Sequence, residues 1–336
     1  MSTAATPVYL SQSSQQCSLL QQFIERQSLE FAGDCQPSAE QARLIIMSPE
    51  FQLDQLSKAW AAISELSLSE IAIDKLADRA WQLPLSAALS APQLAVLEAL
   101  KPRLLALDIE INYLADGVAP FLSSSGALAC FDMDSTLIQV EVIDELAKAA
   151  GVGEQVAAVT EAAMRGELDF RESFIQRMST LKGLDEAVLA DIAANIPLSP
   201  GMPELIRGLK DLGFKTAIFS GGFDYFAGQL QQRFGFDQIF ANRLDIVDGK
   251  VTGQAKGDIV DAERKAQLLE QLANEYDLPM SSTIAVGDGA NDLLMLAKAG
   301  MGVAYRAKPI VRDQAQFSIS QLGLDAVLYL LGQKEG

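Results

Sequence analysis

Four short apolar runs constrain the fold more than any other feature of this chain. They are ALACF (127–131), KTAIFS (215–220), STIAVG (282–287) and GVAYR (302–306), with helical periodicity between them. Short buried strands alternating with helices predict a doubly wound parallel sheet. In such sheets ligands bind beyond the carboxyl ends of the strands. The residues that follow each run are therefore the first place to look for chemistry.

The remaining chain divides around this pattern. Residues 1–40 are polar and Gln/Ser-rich and are expected to form a loose arm with some helix. Residues 41–116 read as βαββαβ. ARLIIMS (42–48) is a strand, and Leu53, Leu56, Trp60 and Ile63 recur at helical spacing. Two strand candidates follow, LSEIAIDKLA (68–77) and RAWQLPL (79–85), then a helix at APQLAVLEAL (91–100) with Pro near its start. LALDIEINYL (105–114) alternates, with Leu107, Ile109, Ile111 and Tyr113 on one side and Asp108, Glu110 and Asn112 on the other. That order predicts a ferredoxin-like α+β sandwich. ADGVAPFLSSSG (115–126) is linker-like. The second domain is expected over 127–336. A helical detour at 141–210 is too long for a plain crossover and reads as a cap inserted after the first strand. Residues 239–254 predict a hairpin turning at Asp248–Gly249.

Composition narrows the chemistry. The net charge is −18, which repels nucleic acid and anionic membranes, so neither is an expected partner. No run of about 18 apolar residues suggests a membrane span. The N-terminus has neither a basic start nor an apolar core of the signal-peptide kind. Three cysteines, Cys17, Cys35 and Cys130, fit no zinc spacing. A reduced cytoplasmic protein is the expectation. Histidine is absent, which excludes Ser-His-Asp hydrolysis, phosphohistidine chemistry and His-ligated metals.

Three strand ends carry the polar residues. The first is followed by Asp132-Met133-Asp134, whose carboxylates share a side if strand alternation continues. Adjacent carboxylates repel unless a cation lies between them or one is protonated. The second is followed by Ser220-Gly221-Gly222, a hydroxyl and free amides suited to cradling an anion. The third is followed by Gly287-Asp288-Gly289-Ala290-Asn291-Asp292, and Lys265 lies on a helix shortly before it. Hard oxygen donors without His or Cys select Mg²⁺. Asp132 and Asp288 are the expected carboxylate ligands, with the main-chain carbonyl of Asp134. With phosphate between metal, Ser220 and Lys265, Asp132 is placed to attack phosphorus, and Asp134 to protonate the leaving oxygen and then activate water.

DMDST, SGG, a later lysine and GDGAND together resemble the haloacid dehalogenase-like phosphatase superfamily. The flanks DMDSTLIQVEVIDELAKAAG, FSGGFD, FANRL and AVGDGANDLLML are similar to its phosphoserine-hydrolysing branch, over residues 127–331. The resemblance implies a Mg²⁺-dependent enzyme that converts the small molecule O-phosphoserine to serine and phosphate through an aspartyl-phosphate, and it allows a homodimer. It places Glu141 on the substrate ammonium and Arg177 on its carboxylate. Phe170 and Met164 would line an apolar wall. Ser220, Gly221, Lys265 and Asn291 match phosphate-contacting positions, and Asp292 supports them. Segment 41–116 vaguely resembles the amino-acid-binding regulatory (ACT-like) modules fused to some relatives.

Other readings stay open at this point. Glu141 is also what a helix N-terminus favours, and Arg177 continues the stripe Phe170, Phe174, Met178 and Leu181, over which it could snorkel. Phosphotransfer to another alcohol, another small phosphomonoester as substrate, or a non-catalytic amino-acid sensor would use parts of the same pattern.

Overall fold

The computed structural model describes residues 9–10, 41–51, 53–68, 71–72, 74–117, 126–164 and 167–334. The expected arm over 1–40 and the linker over 118–125 lie outside the described residues, apart from a two-residue strand, β1 (Tyr9–Leu10), paired with β3 (Ile71–Ala72). The chain forms two compact units, 1–125 with 317–336, and 126–316.

The first unit contains β2 (Arg43–Met47), α1 (Leu53–Ser64), β3, β4 (Asp74–Ala77), β5 (Ala80–Pro84), α2 (Ala91–Leu105) and β6 (Glu110–Leu114). Its four-stranded sheet has the order β4-β5-β2-β6 with all neighbours antiparallel. This is the strand order of a ferredoxin-like sandwich. Leu44 and Ile46 of β2 pack with Trp60 and Ile63 of α1 and with Leu97, Leu100 and Leu104 of α2. The alternation at 105–114 misled at its start. Leu105 closes α2, and Asp108 turns the chain at a φ of 57° before β6 begins at Glu110. Local helix formation won over a period-2 pattern only a few residues long.

The polar side of β6 is covered too. Glu110, only 4 % exposed, accepts the main-chain N–H groups of Ser320 (2.6 Å) and Gln321 (3.1 Å). Asn112 exchanges two bonds with the backbone of Ser318. The C-terminal segment with β13 (Phe317–Ile319) and α12 (Ala326–Leu330) thus clusters with this unit.

The second unit begins with β7 (Ala127–Phe131) and a tight turn over Met133–Leu137. Five helices follow: α3 (Val142–Ala149), α4 (Gly153–Met164), α5 (Phe170–Thr180), α6 (Ala187–Asn195) and α7 (Met202–Asp211). Then come β8 (Phe214–Phe223), α8 (Asp224–Phe234), β9 (Gln238–Val247), β10 (Lys250–Lys256), α9 (Ala262–Glu275), β11 (Thr283–Gly287), α10 (Leu293–Lys298), β12 (Met301–Tyr305) and α11 (Pro309–Gln314). Within this unit the sheet runs β10-β9-β8-β7-β11-β12. Every pair is parallel except the β9–β10 hairpin, which turns at Asp248 and Gly249, both at positive φ. Every residue of β7, β11 and β12 is buried, as expected for strands covered on both faces. The first strand lies inside the sheet, with β8 on one side and β11 on the other. This topological switch opens a crevice at the strand ends. Helix α7 packs on β8, so it serves the crossover rather than the inserted cap.

Replacing Glu110 by Ala should remove the acceptor of two partly buried N–H donors. The expected loss is about 2–4 kcal/mol, measured as a lower urea midpoint in the unfolding of the full chain.

Candidate active site

Three strand ends deliver side chains to the crevice, each by a different local device. β7 stops at Phe131, and the Asp132 N–H donates to the Val286 carbonyl of β11 at 2.9 Å. The strand is therefore over before Asp134, and alternation does not bring the two carboxylates together. The turn does so, with Ser135 at a φ of 57°. β8 runs on through Ser220, Gly221 and Gly222. Gly222 is required there, because a Cβ would stand 2.7 Å from Asp134 Oδ2. The Gly222 N–H donates to Ser220 Oγ at 2.8 Å, which leaves the Ser220 hydroxyl proton to donate elsewhere. Beyond β11, Asp292 Oδ2 folds back to accept from the Gly289 N–H at 3.0 Å.

Helix α9 supplies the cation. Asp261 caps its N-terminus by accepting from the Arg264 N–H at 3.0 Å. Lys265 then falls on the same stripe as Leu268, Leu269 and Leu272, which all face the core. It is fully buried, and its ammonium lies 2.6 Å from Asp132 Oδ1 and 2.7 Å from Asp292 Oδ1. Burial opposes its charge, yet the two carboxylates win and raise its pKa above the ordinary lysine value.

The carboxylates outnumber that cation. Burial pushes the Asp132 carboxyl well above the usual range; Asp292 and Asp288 add to the shift and Lys265 opposes it. Burial does the same to Asp134, reinforced by Glu141 and Asp132. Asp288 is pushed up to about 7, first by burial and then by Asp292 and Glu141. Oxygen atoms of Asp132, Asp288 and Asp292 lie within 4.8 Å of one another. This excess of buried negative charge, on hard oxygen donors only, fits a metal cation.

A cavity of about 410 Å³ opens over these groups. Asp132, Asp134, Glu141, Phe170, Arg177, Gly221, Asp288 and Asn291 line it, while Ser220, Lys265 and Asp292 lie fully buried outside its lining. Helix α5 carries the insertion's contribution. Asp169 and Glu172 close its N-terminus with reciprocal bonds of 2.8 and 3.1 Å. Phe170 stacks on Phe174 and approaches Gly221 so closely that a Cβ there would meet the ring at 3.3 Å. Arg177, whose pKa burial lowers, uses only its Nε among the described residues, on the Ser173 carbonyl at 3.4 Å. Glu141 accepts from the Ser135 hydroxyl at 2.8 Å. The side chain of Met164 lies outside the described residues.

Four further residues were missed in the sequence. Thr136 donates to Asp288 Oδ1 at 3.2 Å, Ser173 and Lys308 line the cavity, and Asn242 bonds the Gly221 carbonyl at 2.8 Å. Thr136 and Asn242 stand inside the quoted stretches DMDST and FANRL, and that placement was their only signal.

Residues 127–300 match the family model described as hydrolase, haloacid dehalogenase-like hydrolase. The chain belongs to that family. Among curated proteins it is 50% identical over 228 residues to a phosphoserine phosphatase of Haemophilus influenzae, covering 68% of this chain and 72% of that protein. Its fold is similar to a probable phosphoserine phosphatase from Vibrio cholerae solved unliganded, with a TM-score of 0.72, 36% identity, and 98% and 95% of the two chains covered. It is also similar to a phospho-aspartyl intermediate analogue of a phosphoserine phosphatase, with a TM-score of 0.58, 39% identity, and 62% and 99% covered.

Lys265→Met should strand two buried carboxylates and cost about 3–5 kcal/mol of stability. Adding Asp132→Asn should return part of that loss. Urea unfolding of the two single variants and the double variant measures the coupling.

Proposed function

We propose that this hydrolase is a phosphoserine phosphatase, which splits O-phosphoserine into serine and inorganic phosphate through phospho-Asp132. The reading rests on its haloacid dehalogenase-like core and its phosphoserine phosphatase relatives. One observation carries it at the level of residues. Asp132 and Asp134 share a cavity with Glu141 and Arg177, so phosphoryl chemistry and amino-acid recognition meet in one volume.

Asp132 attacks phosphorus while Lys265 holds its Oδ1. Asp134 has its pKa raised by burial, and its buried Oδ1 has no hydrogen-bond partner among the described residues. It holds a proton and gives it to the departing serine oxygen. As a carboxylate it then takes a proton from the water that attacks phospho-Asp132, which frees phosphate and restores both acids. Gly221, Ser220 and Asn291 donate to the phosphoryl oxygens. Glu141 receives the substrate ammonium. The unspent fork of Arg177 pairs with the substrate carboxylate in bidentate fashion, and the Phe170 ring covers the small apolar face between them. The sequence resemblance adds Met164 to that wall.

Mg²⁺ would be held by Asp132, Asp288 and the main-chain carbonyl of Asp134, and when bound it supplies positive charge for the phosphoryl oxygens. Both oxygens of Asp292 are engaged, by Lys265 and by the Gly289 N–H, which favours a supporting role. Phosphate-monoester hydrolysis needs accelerations up to about 10²¹-fold, of which one general acid supplies about 10²–10⁴. Preorganised charge in this cavity must provide much of the rest. Among the described residues, no helix is long and apolar enough to cross a membrane. The reaction needs only a small-molecule partner.

Asp132→Asn should abolish phosphate release with the circular dichroism spectrum unchanged; wild-type turnover would refute the nucleophile. Arg177→Ala should raise KM for O-phosphoserine about 10–100-fold while hydrolysis of 4-nitrophenyl phosphate survives. Equal losses on the two substrates would remove Arg177 from carboxylate recognition. EDTA should stop both reactions and Mg²⁺ should restore them.

A further inference from the structure

The phosphate cradle is an interruption of a β-ladder. Strands β8 and β9 pair in parallel up to Ser220 with Ala241, and pairing resumes at Phe223 with Asn242. β8 therefore advances three residues while β9 advances one, so Gly221 and Gly222 stand outside the ladder. Such a bulge leaves main-chain groups without their strand partners. Unpaired in a buried site, they would be costly.

Asn242 replaces the missing partner. Its side chain is 1 % exposed. Nδ2 donates to the Gly221 carbonyl at 2.8 Å, and Oδ1 accepts from the Val260 N–H at 2.9 Å. Only one orientation of the amide satisfies both, since a carbonyl needs a donor and an N–H an acceptor. Val260 directly precedes Asp261, the cap of the helix that carries Lys265. One side chain thus ties the cradle to the base of the lysine helix.

We propose that Asn242 is a positioning residue for phosphoryl transfer. It holds the Gly221 peptide so that the cradle donors and Lys265 keep a common register on the phosphoryl group. The proposal rests on the phosphatase reading above. A purely structural asparagine would stabilise the fold without affecting how tightly the cradle holds an anion. A positioning asparagine affects the chemical step most, because cradle donors matter most where charge develops.

Asn242→Ala and Asn242→Asp in the full chain separate these roles. Ala loses both bonds, whereas Asp keeps an acceptor for Val260 but loses the donor to Gly221, so both variants should show the defect. Assays run in Mg²⁺ well below each melting temperature, with O-phosphoserine and 4-nitrophenyl phosphate as substrates and inorganic phosphate as inhibitor. The expected result is a fall in kcat of about 10-fold or more on both substrates and a weaker phosphate inhibition constant, with KM for O-phosphoserine changing less than kcat. Wild-type kcat and phosphate inhibition, with only a lower melting temperature, would overturn the proposal.

If neither variant folds, the wild-type chain with isotope-labelled asparagine decides. The Asn242 side-chain amide resonances should shift when phosphate and Mg²⁺ are added, and an unmoved pair would overturn the role. A wild-type chain that hydrolyses only the aryl phosphate would sink the phosphoserine reading and still judge Asn242 on that substrate. One that neither hydrolyses nor binds phosphate would overturn both.

Discussion

The buried ion cluster of Asp132, Lys265 and Asp292 is the constraint on which the rest of the second unit depends. Removing three charges from water costs several kcal/mol for each ion and is repaid only where the geometry is tight. The two contacts, at 2.6 and 2.7 Å, meet that requirement. They also fix three elements at once: the end of β7, the turn after β11, and the leucine face of α9. The cluster remains short of positive charge, since Asp288 and Asp134 lie nearby with raised pKa values. That deficit suits the cluster to hold a cation.

Close approach is the second requirement, and glycine meets it. Gly222 lets the cradle lie against Asp134, and Gly287 lets Asp292 fold back, where a Cβ would collide with its carboxyl carbon. The first contact sets backbone against carboxylate in the cavity lining, and the second does so in the buried layer outside it. A side chain at either position would part the acid from the cradle it serves.

The fold was legible where patterns were long and failed where they were short. Continuous apolar runs marked β7, β8, β11 and β12, and Asp248–Gly249 marked the hairpin, because those signals rest on burial and on a turn few other residue pairs accept. At 105–109 a helix end and a turn imitate strand alternation for a few residues, and no local rule separates them. The site was legible at Asp132, Ser220, Lys265 and Asp288, which follow strand ends or occupy a helix stripe. Asp134 reaches the cavity from the tight turn over Met133–Leu137, beyond the end of β7, so strand pleating is not what places it. The role of Asn242 is not legible in the sequence, because a lone asparagine within a strand carries no signal of its own until the bulge opposite it is seen.

The sequence by itself determined the inventory: carboxylates and no histidine, a glycine cradle, one lysine on a leucine stripe, and an alternation of strands and helices that had to bring strand ends to one edge. These are short-range matters of residue type and spacing. Tertiary structure alone decided the pairings. It chose Asp292 as the second partner of Lys265, Ser135 as the partner of Glu141, and the C-terminal segment as the cover for Glu110. Such partners are distant in sequence or hidden in turn geometry. Those of Lys265 and Glu110 are selected by the cost of leaving a buried polar group alone, which exists only once the chain has excluded water.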